Sequence, residues 1–231
     1  MDEIMAAKQQ LVGAGRVLQQ HGQGDMTRGH VSVRVPGRAD LFLMKPHGLG
    51  LGEITPDNVL TIDLDGGLVE GKGRAHSERF IHSEIFRARP DVMAVIHAHP
   101  PHATAFAATG QKLLALSQPG AMFHNALPVF AETIQLIRTP ELGRALAQCL
   151  GPHHAVLMRG HGVTIAGLSL AQAVVVSLTL EEAARIQLLA VAAGLEDVAF
   201  PDADVEKLQR NLLRLEQCEV NFAYLLRMVG A

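Results

Sequence analysis

The chain has 231 residues, 48% of them hydrophobic and 19% charged, with a formal charge of −3. That balance excludes a disordered chain and a nucleic-acid binder working by bulk charge, and the length suits one domain burying roughly 70% of its unfolded surface. Twelve histidines stand against one tyrosine and no tryptophan, which points to metal or proton chemistry. Cys149 and Cys218 are too few and too far apart for a disulfide framework or a zinc ribbon. The acidic opening Met1-Asp2-Glu3-Ile4 lacks a signal-peptide pattern, and no apolar run approaches the ~18 residues of a membrane span. The expectation is a reduced, cytoplasmic protein with no membrane or nucleic-acid partner.

Residues 3 to about 21 read as a helix, with Ile4, Leu11 and Leu18 at seven-residue spacing and Gly22 as the stop. His30 to Val35 alternates Val31, Val33 and Val35 with Ser32 and Arg34, the pattern of a half-buried strand. Leu41 to Met44 and Val59 to Leu64 are further strands, and Asp65-Gly66-Gly67 turns the chain into Leu68-Val69. A helix follows over 77–89, with Ile81, Ile85 and Ala88 on one face, Ser77 as N-cap and Pro90 as the stop.

Val92 to Ile96 is an apolar strand that ends in His97-Ala98-His99. Short helices are expected over 101–108 and 139–150, the second burying Cys149. Strands at 156–158 and 163–166 flank Arg159-Gly160-His161-Gly162. Ser169 and Gln172 form a capping box for a long helix to about Ala193. A last helix over about 204–228 places Val205, Leu208, Leu212, Leu215, Phe222 and Leu226 at steps of three and four, suited to packing on its own domain or to a subunit contact. Strands and helices mixed without regular βαβ spacing indicate one α/β domain, over 1–231, with a largely antiparallel sheet.

On a strand, His97 and His99 project to the same face, where two imidazoles can converge on a metal ion. Two polar side chains on one solvated face would give the same pattern. His161 lies between two glycines that permit a tight backbone and close approach, as an ordinary loop residue or as a third ligand. Three histidines would leave an open coordination position for chemistry. Glu78, at the start of the 77–89 helix, can complement the helix dipole or move protons beside a metal. His30, His47 and His76 each sit beside an element end, where ligand-facing groups collect. His102, His124, His153 and His154 read as structural or surface residues. Dinucleotide, P-loop and nucleophile-elbow motifs are absent.

Together these residues resemble the class II aldolase/adducin family over roughly residues 3 to 195. The resemblance rests on Gly29-His30-Val31-Ser32-Val33-Arg34, Gly52-Glu53-Ile54-Thr55-Pro56, Asp63-Leu64-Asp65-Gly66 and Ser77-Glu78. It continues through Ala88-Arg89-Pro90-Asp91, Val95-Ile96-His97-Ala98-His99-Pro100, His161-Gly162 and Leu180-Glu181-Glu182-Ala183-Ala184-Arg185. It implies an α/β/α layering, one divalent metal (zinc, manganese, iron or cobalt) on His97, His99 and His161, and Glu78 as acid/base. It also implies fourfold-symmetric homotetramers with sites between subunits.

Where sugar-phosphate members carry compact hydroxyl and amide groups, this chain has Arg28-Gly29-His30, Lys45-Pro46-His47-Gly48 and His76-Ser77-Glu78. The pattern is closer to the decarboxylase branch, which acts on hydroxylated aromatic or hydroxypyridine dicarboxylates. Arg28, His30, Lys45, His47, His76 and Ser77 are the substrate-binding candidates that this resemblance implies. An aldolase, epimerase or decarboxylase of a sugar phosphate or sugar acid is the alternative.

Overall fold

A computed structural model describes residues 3–195 and 199–231; Met1 and Asp2 of the acidic opening lie outside the described residues. The chain runs α1 (Glu3–Gln20), β1 (His30–Arg34), β2 (Leu41–Met44), β3 (Leu60–Asp63), β4 (Leu68–Glu70), α2 (Arg79–Ala88), β5 (Ala94–Ala98) and α3 (Pro101–Thr109). It continues through α4 (Gln118–Met122), β6 (Val129–Phe130), α5 (Pro140–Leu150), β7 (Ala155–Met158), β8 (Gly162–Gly167), α6 (Leu170–Ala192), α7 (Asp202–Leu212) and α8 (Leu215–Met228). The strands form one sheet in the order β4-β3-β2-β1-β5-β8-β7-β6, antiparallel except for the β6–β7 pair.

Strand alternation builds two cores. Val31, Ile96, Leu157 and Ile165 face α1, α3, α6 and α8. Phe42, Ile62, Val95 and Val156 face α2 and α5. Helices on both faces of a mostly antiparallel sheet give the three-layer α/β/α architecture.

That layering corrects the reading of β1 as half-solvated. Its polar set, His30, Ser32 and Arg34, is buried beneath α2. Arg34 is satisfied there by the carbonyl oxygens of Phe86, Arg89, Val92 and Ala39. Ser32 meets His82 of α2. Buried polar groups persist where they find partners, and periodicity alone does not reveal a partner on another element.

Three local expectations change. The helix expected from Ser77 begins at Arg79, and Glu78 occupies the N-cap position without capping, because its side chain turns into the protein. Ser169 accepts from the Gln172 amide as expected, but Gln172 Oε1 accepts from Leu168 N, so the capping box is incomplete. Cys149 is only partly buried, while Cys218 is buried, and both are free thiols.

The single C-terminal helix is instead two, α7 and α8, broken at Leu213-Arg214. Val205 of α7 packs with Ala115 and Ala121, whereas Cys218 and Phe222 of α8 join the main core beside α1 and α6. Docking on two different surfaces requires the bend. Among the described residues no helix is long and apolar enough to cross a membrane.

Candidate metal centre and acid/base site

The site lies where β1, β5 and β8 run side by side. His30 pairs with His97, and His97 with Thr164, in adjacent antiparallel registers. His97 shares a face with Val95, so its imidazole points toward α2. His99 follows β5, and His161 sits in the turn between β7 and β8. Gly160 takes φ +68 in that turn, a left-handed conformation suited to glycine. At Gly162, an added Cβ would lie 2.5 Å from Ala98 O and 2.6 Å from His99 Cδ2.

These constraints bring one ring nitrogen from each of His97, His99 and His161 within 4.8 Å of one another. His97 Nδ1 lies 3.0 Å from Val163 O, and a carbonyl can only accept, so Nδ1 carries the hydrogen and Nε2 keeps its lone pair. His97 Nε2 and both nitrogens of His161 are buried without a hydrogen-bond partner. His99 Nδ1 is 3.2 Å from Asp25 Oδ2 but out of line for a hydrogen bond. Burial holds all three imidazoles below their ordinary pKa, His161 at about 4, so they are neutral near pH 7. Converging neutral nitrogens, left unpaired in a buried place, fit a divalent cation with imidazole affinity.

Glu78 reaches the same point from the start of α2. Its Oε1 accepts from the Ile137 amide at 3.0 Å and lies 3.6 Å from His161 Nε2. Its Oε2 is 3.9 Å from His30 Nε2 and 4.0 Å from His97 Nε2. Burial raises its pKa, with the Ile137 amide and the Arg138 charge opposing the rise. His30, His76 and Glu78 form a second group whose ligand atoms lie within 4.8 Å of one another. Two nitrogens of that group are committed, because His76 Nδ1 accepts from the Glu78 amide at 3.3 Å and His30 Nδ1 lies 2.6 Å from His82 Nε2.

A cleft of about 400 Å³ opens over the cluster, and Arg28, His47, His76, Ser77, Glu78, His99 and His161 line it. Two expected substrate residues sit behind it. His30 is fully buried, with its ring 4.1 Å from that of His76. Lys45 is also fully buried, donating from Nζ to Thr27 O at 2.7 Å and to Leu49 O at 2.5 Å. Burial lowers its pKa to about 8.

The structure adds residues that the sequence did not single out. Asp25, Thr104 and Arg138 line the cleft. His82 of α2 joins His30 to Ser32 Oγ, the latter at 2.6 Å from its Nδ1. Its spacing of four from Glu78 was the available signal. The Ile137 amide lies in a loop with no motif.

Residues 9–188 match the family described as Class II Aldolase and Adducin N-terminal domain. The chain belongs to this family. Its similarity to named class II aldolase/adducin relatives leans toward decarboxylases. It is 32% identical over 213 residues to a 3,4-dihydroxyphthalate decarboxylase of Arthrobacter keyseri, covering 87% of this chain and 86% of that one. It is 37% identical over 172 residues to decarboxylase NovR of Streptomyces niveus, covering 74% of this chain and 64% of NovR, less than two thirds of NovR's length. Its fold matches an L-fuculose 1-phosphate aldolase from Glaciozyma antarctica with TM-score 0.89, at 24% identity, over 98% of this chain and 89% of that one.

Proposed function

We propose that this class II aldolase/adducin protein is a metal-dependent carboxy-lyase acting on a hydroxylated aromatic or hydroxypyridine dicarboxylate. The observation that carries the reading is Glu78, buried and fixed by the Ile137 amide, beside three imidazoles with unpaired nitrogens. Its 32% identity to a 3,4-dihydroxyphthalate decarboxylase supports the substrate class.

In this reading His97, His99 and His161 hold the divalent ion. The ion would supply Lewis acidity toward the substrate's carboxylate and adjacent ring oxygen. Arg28, His47, His76 and Ser77 line the cleft and orient the substrate. Because His76 Nδ1 accepts from the Glu78 amide, neutral His76 carries its hydrogen on Nε2 and can donate from there. His30 and Lys45 act from behind, the first against Glu78 and His76, the second by holding Thr27 and Leu49.

Breaking the carbon–carbon bond expels carbon dioxide and leaves the electron pair on the ring carbon. Glu78, as the acid, delivers its proton to that carbon, and its carboxylate regains a proton from solvent in the cleft. Each turnover consumes one proton. We place the apolar, exposed residues Val220, Tyr224 and Met228 of α8 at a subunit contact of a homotetramer.

The test incubates purified protein with manganese or zinc and a panel of dihydroxyphthalates and hydroxypyridine dicarboxylates. Carbon dioxide release supports the reading. Its absence across the panel, with sugar phosphates cleaved instead, establishes the aldolase alternative.

A further inference from the structure

A second groove, of about 780 Å³, adjoins the cleft above the imidazoles. His47, Ser77 and Arg138 line both spaces, and Arg74 and Arg79 line the groove, which has no acidic side chain on its walls. The cations of this surface are unequally committed. Arg28 is paired with Asp25 at 2.8 Å. Arg79 donates from Nε to Gly66 O at 2.7 Å and lies over the Phe80 ring. Among the described residues, Arg138 has no carboxylate within ion-pair distance and no side-chain hydrogen bond.

The backbone at Arg138 is held on both sides. Ile137 is buried with its amide on Glu78, and Thr139 caps α5 by accepting from Leu142 N. The backbone that carries this free guanidinium is therefore anchored at the rim, and its charge reaches both Glu78 and His76. Guanidinium binds carboxylate as a planar fork, with charge-assisted bonds stronger than those a neutral donor gives.

We infer that Arg138 is a specificity-determining residue that grips the carboxylate the substrate keeps, selecting dicarboxylates over monocarboxylates. The substrate class named here rests on the decarboxylase reading. A retained carboxylate close to Glu78 would repel the glutamate anion left after proton delivery, and Arg138 offsets that repulsion. Arg28 is less suited, because Asp25 already neutralises it.

The test is calorimetric binding of phthalate and benzoate to the metal-loaded full-length protein, as wild type, Arg138→Gln and Arg138→Lys. Phthalate is expected to bind wild type more tightly than benzoate. Arg138→Gln should lose phthalate affinity by roughly ten- to hundredfold with benzoate unchanged, and Arg138→Lys should fall between. Unaltered phthalate binding in Arg138→Gln, an equal loss for both acids, or no phthalate binding by wild type overturns the assignment. If phthalate preference depends on Arg138 but no acid is decarboxylated, the carboxy-lyase reading fails and the Arg138 assignment stands.

Discussion

The Ile137 amide donates to Glu78 Oε1 at 3.0 Å, so the loop between β6 and α5 orients a carboxylate that α2 delivers. With Oε1 engaged, Oε2 is left facing His30 and His97. Glu78→Gln retains an oxygen for the Ile137 amide but has no proton to give. Metal content and folding should be unchanged while kcat falls roughly 10²–10⁴-fold. Parallel elemental analysis and turnover measurements check this, and full activity in the variant refutes the proton-transfer role.

Gly162→Ala tests the close passage of β8 past β5. The new methyl would lie 2.5 Å from Ala98 O and 2.6 Å from His99 Cδ2, closer than packed atoms allow. The strand and the His99 ring must both move. We expect a stability loss of about 1–3 kcal/mol by denaturant unfolding and a weaker metal site by competition with a chelator. An unchanged metal affinity would show that His99 is not held by this contact.

Acid sensitivity follows from the buried histidines. Burial is the largest cause that pushes His76 and His82 from 6.5 to about 3. Below pH 6.5 the unfolded chain takes up protons that the folded chain refuses. The contribution of these histidines should therefore be flat above about pH 7 and fall as pH drops from 6.5 toward 3, by on the order of 1 kcal/mol per pH unit for each of them. His82→Gln removes one of them and should flatten the fall. Urea unfolding at stepped pH, with chelator present so that metal release does not contribute, measures it. An identical slope in wild type and variant would contradict the assignment.

Lys45→Met separates two roles for a buried lysine. The carbonyl oxygens of Thr27 and Leu49 lose their donor, so stability should drop by about 1–3 kcal/mol and KM should rise as the Asp25–Arg28 segment loosens. A stable variant with the full loss in kcat/KM would instead place the ammonium on the substrate.

The parts of the site that lie on one element were legible in the sequence. His97 and His99 share a strand face, and Gly160 and Gly162 mark the turn that presents His161. Glu78 was legible as a candidate, although its helix position alone favoured a dipole role. The parts that join elements were not legible. His82 looks like any helical histidine until β1 brings His30 and Ser32 against it. Arg34 reads as a solvent-facing strand residue until α2 and its following loop supply carbonyl partners. Lys45 sits in a motif region that the resemblance associates with substrate, yet its ammonium is consumed by two loop carbonyls. The break at Leu213-Arg214 escaped because the apolar steps of three and four continue through it, and only the two docking surfaces show that they cannot be served by one straight rod.

We propose that His97, His99 and His161 hold a divalent ion beside Glu78 for decarboxylation. The most direct measurement is carbon dioxide release from 3,4-dihydroxyphthalate by metal-loaded wild type and by His97→Ala, with metal content determined on the same samples. We expect release by wild type, and neither bound metal nor release in the variant. Equal release by a metal-free His97→Ala, or no release by wild type that cleaves a sugar phosphate, would contradict it.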